Sequence, residues 1–222
     1  EYFGVEKTIE KEFEVFKNKS GSSGGSGGIS GEKMFIVGSI GDDVNEYTLS
    51  VAFDVSSASF VDSFSVASQE TQPQGIAFSK SGEKMFIVGN TGDDVNEYTL
   101  ATAFDVSSAS FVDSFSVASQ EINPSGIAFS KSGEKMFIVG FAGDDVNEYT
   151  LTTAFDVSSA SFVDSFSISG QETEPTGIEF SKSGQKMFIV GTTGDDVNEY
   201  TLSVAWDVSS ASFVDSFSVA SQ

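Results

Sequence analysis

The chain has 222 residues, of which 39% are hydrophobic and 22 are phenylalanine, enough for one domain with a sizeable core. Eleven lysines against 33 carboxylates give a formal charge of -22, which argues against nucleic acid and anionic membranes as partners. Cysteine and histidine are absent, so disulfides, thiolate metal sites and catalysis by either residue are excluded. No apolar run approaches the length of a transmembrane helix, which argues against membrane insertion.

The amino-terminal segment, residues 1–20, belongs to no repeat. Helical spacing would align an apolar stripe made of Tyr2, Val5, Ile9, Phe13 and Phe16. The same helix would place like charges four residues apart, for example at Glu6 and Glu10, which is mildly unfavourable. Alternation instead puts Ile9, Phe13 and Val15 on one face, with Phe16 on the other. We therefore expect this arm to be a strand.

Residues 21–28, GSSGGSGG, have the composition of a flexible tether, as in natural linkers and in engineered spacers. We therefore divide the chain into an arm at 1–20, a tether at 21–28 and a folded domain at 29–222. The sequence begins at Glu1 and shows no signal-peptide pattern, as expected of an exported protein after processing or of a trimmed chain. The interpretation we carry forward is an extracellular or cell-surface location.

The domain is a repeat with a period of 51 residues. The period is marked by Met34, Met85, Met136 and Met187. The segments GDDVNEYTL and DVSSASFVDSFS recur unchanged in all four copies. A fixed period of this size indicates a repeat architecture.

One period contains four strand-like segments separated by turn residues. In the second copy these segments lie at 75–79, 84–88, 95–100 and 111–117. The second segment is almost continuously apolar, as expected of a strand covered on both faces. In the third, Tyr98 faces one way and Val95 and Glu97 face the other. In the fourth, simple alternation puts Phe111 and Phe115 on one face.

This rhythm predicts an all-β fold, a β-propeller of four near-identical four-stranded blades. The run GIAFSKSGEKMFIVGNTGDDVNEYTL resembles the repeats of WD40-like and YVTN-type bacterial propellers, and the resemblance covers residues 29–222. The Gly-His pair of WD40 blades is absent, and no Trp-Asp pair recurs from blade to blade. Their aromatic position is taken by Tyr47, Tyr98, Tyr149 and Tyr200. Some propellers of the broader group are lactonases, but no residue of this sequence supports lactonase activity.

The repeats supply fifteen strands where four blades need sixteen. The inner strand GIAFS begins at Gly75 and Gly126, and as GIEFS at Gly177, but the first blade has no copy. Its absence predicts an open strand edge beside Met34, which favours pairing with another segment. The arm is the candidate filler, because the segment from Phe13 to Gly21 loosely echoes the segment from Gly75 to Gly82. The candidate assembly residues are Ile9, Phe13, Val15, Phe16, Met34 and Ile36.

Eight extended tether residues reach about 27 Å, enough to enter a neighbouring subunit. We therefore expect a self-assembling structural protein, in which the arm of one copy completes the first blade of the next by strand donation. Such head-to-tail contacts give rings or filaments. The alternative at this point is that the arm closes its own ring.

A second hypothesis is a multivalent binding module, of the adhesin or phage receptor-binding type, that recognises a glycan or a protein. Its candidate site is a loop that recurs in each blade with two carboxylates. These residues are Asp42, Asp43, Asp93, Asp94, Asp144, Asp145, Asp195 and Asp196. Adjacent carboxylates could contribute to calcium coordination, but two per loop are few and Gly-Asp is ordinary turn chemistry. We predict no other cofactor.

The remaining repeated polar residues have structural interpretations. We expect the lysines that recur before each methionine to pair with nearby carboxylates. These are Lys33, Lys84, Lys135 and Lys186. We expect the aspartates before Val-Ser-Ser to cap the bend into the outer strand. They are Asp54, Asp105, Asp156 and Asp207. Catalysis usually needs an asymmetric set of unlike groups, which near-identical blades do not supply, so we do not predict an enzyme.

Overall fold

The computed structural model describes residues 31–220, which form an all-β repeat structure. The arm at 1–20 and the tether at 21–28 lie outside the described residues. The first two blades contain strands β1 (Lys33–Gly38), β2 (Asp43–Leu49), β3 (Ala58–Ser65), β4 (Pro73–Phe78), β5 (Lys84–Gly89), β6 (Asp94–Leu100) and β7 (Ala109–Ser116). The last two contain β8 (Pro124–Phe129), β9 (Lys135–Gly140), β10 (Asp145–Leu151), β11 (Ala160–Ser167), β12 (Pro175–Phe180), β13 (Lys186–Gly191), β14 (Asp196–Leu202) and β15 (Ala211–Ser218).

The strands form four antiparallel sheets, one for each repeat, and this confirms the predicted propeller arrangement. Blade 1 contains β1 to β3, blade 2 contains β4 to β7, blade 3 contains β8 to β11 and blade 4 contains β12 to β15. Within each sheet the strands follow chain order from the inner strand to the outer one. The described part of blade 1 has three strands, because it lacks the innermost one, as the repeat count predicts.

Burial falls from the inner strands to the outer ones. Every residue of β4 is buried, whereas most residues of β7 are exposed. Inner strands pack against the next blade at close range: a Cβ on Gly126 would lie 3.2 Å from the Cα of Gly177. The four blades are therefore tightly joined near the axis and open toward their outer edge. Among the described residues, no helix has both the length and the apolar composition needed to cross a membrane.

The outer strand departs from simple alternation. The pairing of β6 with β7 shifts register between Glu97 and Tyr98, so Glu97 lies opposite Asp113 but Tyr98 lies opposite Phe111. The rings of Tyr98 and Phe111 meet edge to face with centroids 5.7 Å apart. Phe115 instead packs on the other face of the blade, beside Val95. The expectation that Phe111 and Phe115 share a face is therefore wrong, because the bulge turns one of them over.

The predicted aspartate caps are confirmed in all four blades. Asp105 has an extended backbone and accepts a hydrogen bond from the Ser107 amide, 3.1 Å away, at the start of a short 3-10 helix. Its carboxylate also accepts the Ser107 hydroxyl at 2.6 Å. These contacts satisfy amides at the start of the helix. The equivalent helices are capped by Asp54, Asp156 and Asp207.

Candidate assembly interface

Each junction between consecutive blades buries one apolar cluster formed by two different blade faces. We call the side of a blade that contacts the next blade its front face, and the opposite side its rear face. At the first junction the front face of blade 1 contributes Phe35, Val37, Val44, Phe64 and Val66. The rear face of blade 2 contributes Ile76, Phe78, Met85, Ile87, Tyr98, Leu100, Phe104 and Val106. The equivalent residues form the second and third junctions.

An aromatic group anchors every junction. At the third, the Phe137 ring of blade 3 lies 4.4 Å from the Phe180 ring and 6.2 Å from the Trp206 ring of blade 4, measured between centroids. Trp206 has a positive φ of 63°, which is rare for an aromatic residue. Its indole lies directly over Gly184, where a Cβ would meet the ring at 2.2 Å. Glycine is therefore required beneath this ring.

A polar clip crosses each junction beside the aromatic group. At the second junction the Lys84 ammonium pairs with Glu97 of its own blade at 2.6 Å and donates to the Phe155 carbonyl of blade 3 at 2.6 Å. The other oxygen of Glu97 accepts the Val157 amide of blade 3 at 2.9 Å. The Glu97 side chain is 3% exposed and that of Lys84 is 28% exposed, so the carboxylate is buried and the ammonium is partly open to solvent. The prediction that these lysines pair with carboxylates is confirmed.

The clip repeats at the other two junctions. Lys33 pairs with Glu46 and donates to the Phe104 carbonyl, and Lys135 pairs with Glu148 and donates to the Trp206 carbonyl. Glu46 accepts the Val106 amide and Glu148 accepts the Val208 amide. A carboxylate loses its hydration when it is buried. The hydrogen bond from the amide and the pairing with the ammonium compensate this loss.

The front face of blade 4 has no blade against it. Val190 is 39% exposed and Phe217 is 70% exposed, whereas the equivalent valines Val88 and Val139 are fully buried. Lys186 and Glu199 form their ion pair at 2.5 Å, but with side-chain exposures of 49% and 28%. Within residues 31–220 neither bonds to another blade. The front end face consists of Phe188, Val190, Val197, Phe217 and Val219.

The rear face of blade 1 is partly exposed to solvent toward its outer part. Val55 is 61% exposed, whereas its equivalent Val106 is fully buried. Phe53 is 49% exposed, whereas Phe104 is 2% exposed. The rear end face consists of Met34, Ile36, Tyr47, Leu49, Phe53 and Val55. In the described part of the chain no apolar cluster joins blade 4 to blade 1, so the fifteen described strands form an open arc.

One substitution distinguishes the front end face from the internal front faces. Ala77 and Ala128 are buried at internal junctions, and the equivalent residue in blade 4 is the exposed Glu179. Both alanines lie on inner strands and pack against the inner strand of the next blade. A blade docked on the front end face would therefore meet a carboxylate at the position where the internal junctions bury a methyl group.

Of the predicted assembly residues, two lie in the described part of the chain. Met34 is buried and Ile36 is half-buried, and both belong to β1 at the inner edge of blade 1. The arm residues Ile9, Phe13, Val15 and Phe16 lie outside the described residues. The pairing of arm and β1 stays a prediction.

The repeated aspartate pairs form turns between the second and third strands. Asp93 has a positive φ of 53°, and its carbonyl accepts the Val117 amide at 2.8 Å. Burial raises the pKa of Asp94, against a hydrogen bond from Ser116 that lowers it, and the charge of Asp93 raises it further. Within residues 31–220 no group of three or more acidic side chains is arranged to hold a metal ion. The calcium hypothesis stays an untested prediction.

Sequence reasoning missed three fully buried glutamates behind these turns. Glu121 accepts the Asn123 amide at 2.8 Å, the Ala142 amide at 3.0 Å and the Gly143 amide at 3.1 Å. It therefore fixes the turn of its blade with charge-assisted bonds. The others are Glu70 and Glu172. The signal in the sequence is their fixed place after glutamine in the loop between blades.

Three of the third-strand tyrosines, Tyr98, Tyr149 and Tyr200, are buried at the junctions close to these glutamates. The Tyr98 hydroxyl donates to the Gln69 side chain at 3.3 Å. Burial raises the pKa of Tyr200 to about 12, with smaller contributions from Asp196 and Glu172. Burial raises the pKa of Tyr98 and Tyr149 as well. These phenols serve as neutral packing groups in the junctions.

Comparisons with known proteins identify the fold. No protein-family model and no curated protein matches the sequence. Among solved structures, a functionally unknown protein from Desulfotomaculum acetoxidans matches with a TM-score of 0.54 and 15% identity, over 84% of this chain and 53% of that one. The periplasmic gluconolactonase of Pseudomonas aeruginosa matches with a TM-score of 0.55 and 14% identity, over 85% and 52%. Hydrazine synthase from Kuenenia stuttgartiensis matches with a TM-score of 0.54 and 16% identity, over 84% and 46%.

These similarities show a shared propeller fold. At such identities they carry no activity over to this chain, including that of the gluconolactonase. The chain spans about half the length of the structures it matches. The arc of four blades thus corresponds to about half of each of these larger chains.

Proposed function

We propose that this protein is a self-assembling structural protein whose arcs associate head to tail, the front end face of one copy on the rear end face of another. The observation that carries this proposal is that the two end faces, both with exposed apolar side chains, are the two halves of a junction present three times within the arc. Because the blades are near-identical, the chemistry that joins blade 1 to blade 2 is also available between blade 4 and a second blade 1.

Apolar burial favours this association. Phe217 and Val190 on one face, and Phe53 and Val55 on the other, are large apolar side chains with substantial exposure, although their internal equivalents are mostly or fully buried. Exposed apolar patches of this kind mark interaction sites. A docked second copy would cover both patches with the same side-chain types that cover the equivalent patches at the internal junctions.

Strand donation by the arm is the second part of the proposal. The inner edge of β1 has no partner among the described strands, whereas β5, β9 and β13 each pair with an inner strand. An open edge beside an assembly interface favours pairing with an extended segment. We propose that the arm of one copy supplies this strand to the blade 1 of its neighbour.

Replacing Val190 with aspartate tests the end-face association. The wild-type chain should have a mass in solution of at least twice the 23.4 kDa of one chain, measured by light scattering with size-exclusion chromatography. Val190→Asp should give monomers, because a lone charge in the docked junction would have no partner. Its fold should persist, since Val190 is exposed in the single arc.

The matched control is Val204→Asp, the same substitution on an exposed valine of blade 4 that lies outside both end faces. Val204→Asp should keep the wild-type mass. A monomeric wild-type chain, or equal masses for the two variants, would contradict assembly through the end faces.

Deleting residues 1–20 tests strand donation separately. The shortened chain should associate more weakly than the full chain, because the inner edge of β1 then lacks its strand. The measurement is the concentration at which light scattering shows half-dissociation. An unchanged midpoint would show that the arm takes no part in assembly, and end-face association would stand without it.

A further inference from the structure

The geometry points to closure: we propose that two copies form one ring of eight blades, in which Lys186 and Glu199 of each copy clip onto the Phe53–Val55 segment of the other. This inference rests on the proposed function and adds to it a partner count and a specific polar contact.

The partner count comes from the extent of the arc. The chain superposes on about half of larger single-chain propellers, at TM-scores of 0.54 and 0.55. Propellers typically contain four to eight blades. Two arcs supply eight blades and three would supply twelve. A ring of two copies therefore has a number of blades that lies within the known range, and a ring of three copies does not.

The polar contact comes from the three internal clips. In each, the carboxylate of a third-strand glutamate accepts the backbone amide of a valine in the next blade, at 2.9 to 3.0 Å. By repeat position, Glu199 is the fourth such glutamate and Val55 is the first such valine. Within residues 31–220 the Val55 amide has no hydrogen-bond acceptor, and Glu199 binds Lys186 alone. The junction between copies is thus lined by a donor and an acceptor that match.

The lysine completes the same arrangement. Lys33, Lys84 and Lys135 each donate to the carbonyl of an aromatic residue 71 positions later, at 2.6 to 2.7 Å. Lys186 is 49% exposed and binds Glu199 alone in the described part of the chain. Its repeat-equivalent target is the carbonyl of Phe53 in the second copy. Since a two-fold ring has two identical junctions, each ring would contain two such clips.

Val55→Pro removes the amide donor while preserving the local fold. Val55 is the first residue of a short 3-10 helix, the position at which proline is best tolerated. Asp54 before it is extended, at φ -100° and ψ 100°, and so lies outside the helical region that a following proline disfavours. Val55→Ala is the matched control, because it shortens the side chain but keeps the amide.

The measurement is light scattering over a dilution series of the full chain and of both variants. We expect the wild-type chain to reach twice the mass of one chain and no more. Val55→Pro should weaken dimerisation roughly tenfold to a hundredfold more than Val55→Ala, because a buried carboxylate loses a donor. Glu199→Gln should weaken it as well, whereas Glu174→Gln, outside the end face, should leave it unchanged.

The outcomes separate the two proposals. A monomeric wild-type chain overturns both. Masses that grow beyond two copies with concentration support head-to-tail assembly but overturn closure. A dimer that Val55→Pro and Val55→Ala weaken equally overturns the clip.

Discussion

Replacing Glu97 with alanine is expected to lower the free energy of unfolding by about 1–3 kcal/mol, because a buried hydrogen-bond donor loses its acceptor. Glu97 is 3% exposed and joins two blades. Its loss leaves the Lys84 ammonium without its anion and the Val157 amide without its acceptor. The measurement is urea unfolding, followed by tyrosine and tryptophan fluorescence.

The repeat offers a matched control in Glu199→Ala. Glu199 forms the same ion pair, but it is 28% exposed on the front end face. Its removal should cost about 0–1 kcal/mol, as for other solvent-accessible ion pairs. Both substitutions are best compared in the Val190→Asp background, so that self-association does not add to stability. Equal losses would show that the clip does not stabilise the junction.

Replacing Phe137 with alanine is expected to lower the free energy of unfolding by about 3–5 kcal/mol. The Phe137 ring is fully buried between blades 3 and 4. It contacts both Phe180 and Trp206, with centroid distances of 4.4 and 6.2 Å. The substitution removes this burial and leaves a cavity that the paired sheets cannot easily close.

The corresponding control is Phe188→Ala, which makes the same truncation at the equivalent position of blade 4. Phe188 is half-buried and lies on the front end face. In the monomeric Val190→Asp background its loss should therefore be clearly smaller than that of Phe137→Ala. If both variants lost the same stability, the front end face would already be covered in the single chain, and the open arc would be wrong.

Features fixed by local sequence were predictable. The inner strands are apolar runs bounded by glycine-containing turns, so β4 and β5 lie where the pattern puts them, apart from one or two residues at their ends. The cap formed by Asp105 depends on residues two positions away. The count of fifteen strands followed from the period alone.

Features that depend on register or on distant residues were not predictable. The bulge opposite Glu97 places Phe111 and Phe115 on different faces. The alternating residues of that strand do not indicate a bulge. Glu121 reaches amides 21 and 22 residues away, across a loop. The open arc is set by the packing of whole blades, whose sequences are the same whether a ring closes or not.

The near-identity of the three junctions also affects how the blades come to pack in their native order during folding. Any front face can in principle bind any rear face, so blade 1 can capture blade 3 while blade 2 is still unfolded. Misassembly between domains is a characteristic failure of repeat proteins. Correct order then depends on kinetics: the shortest connection closes first, because its loop-closure entropy is smallest. Synthesis from the amino terminus reinforces that order, since each blade emerges when only its predecessor is ready to receive it.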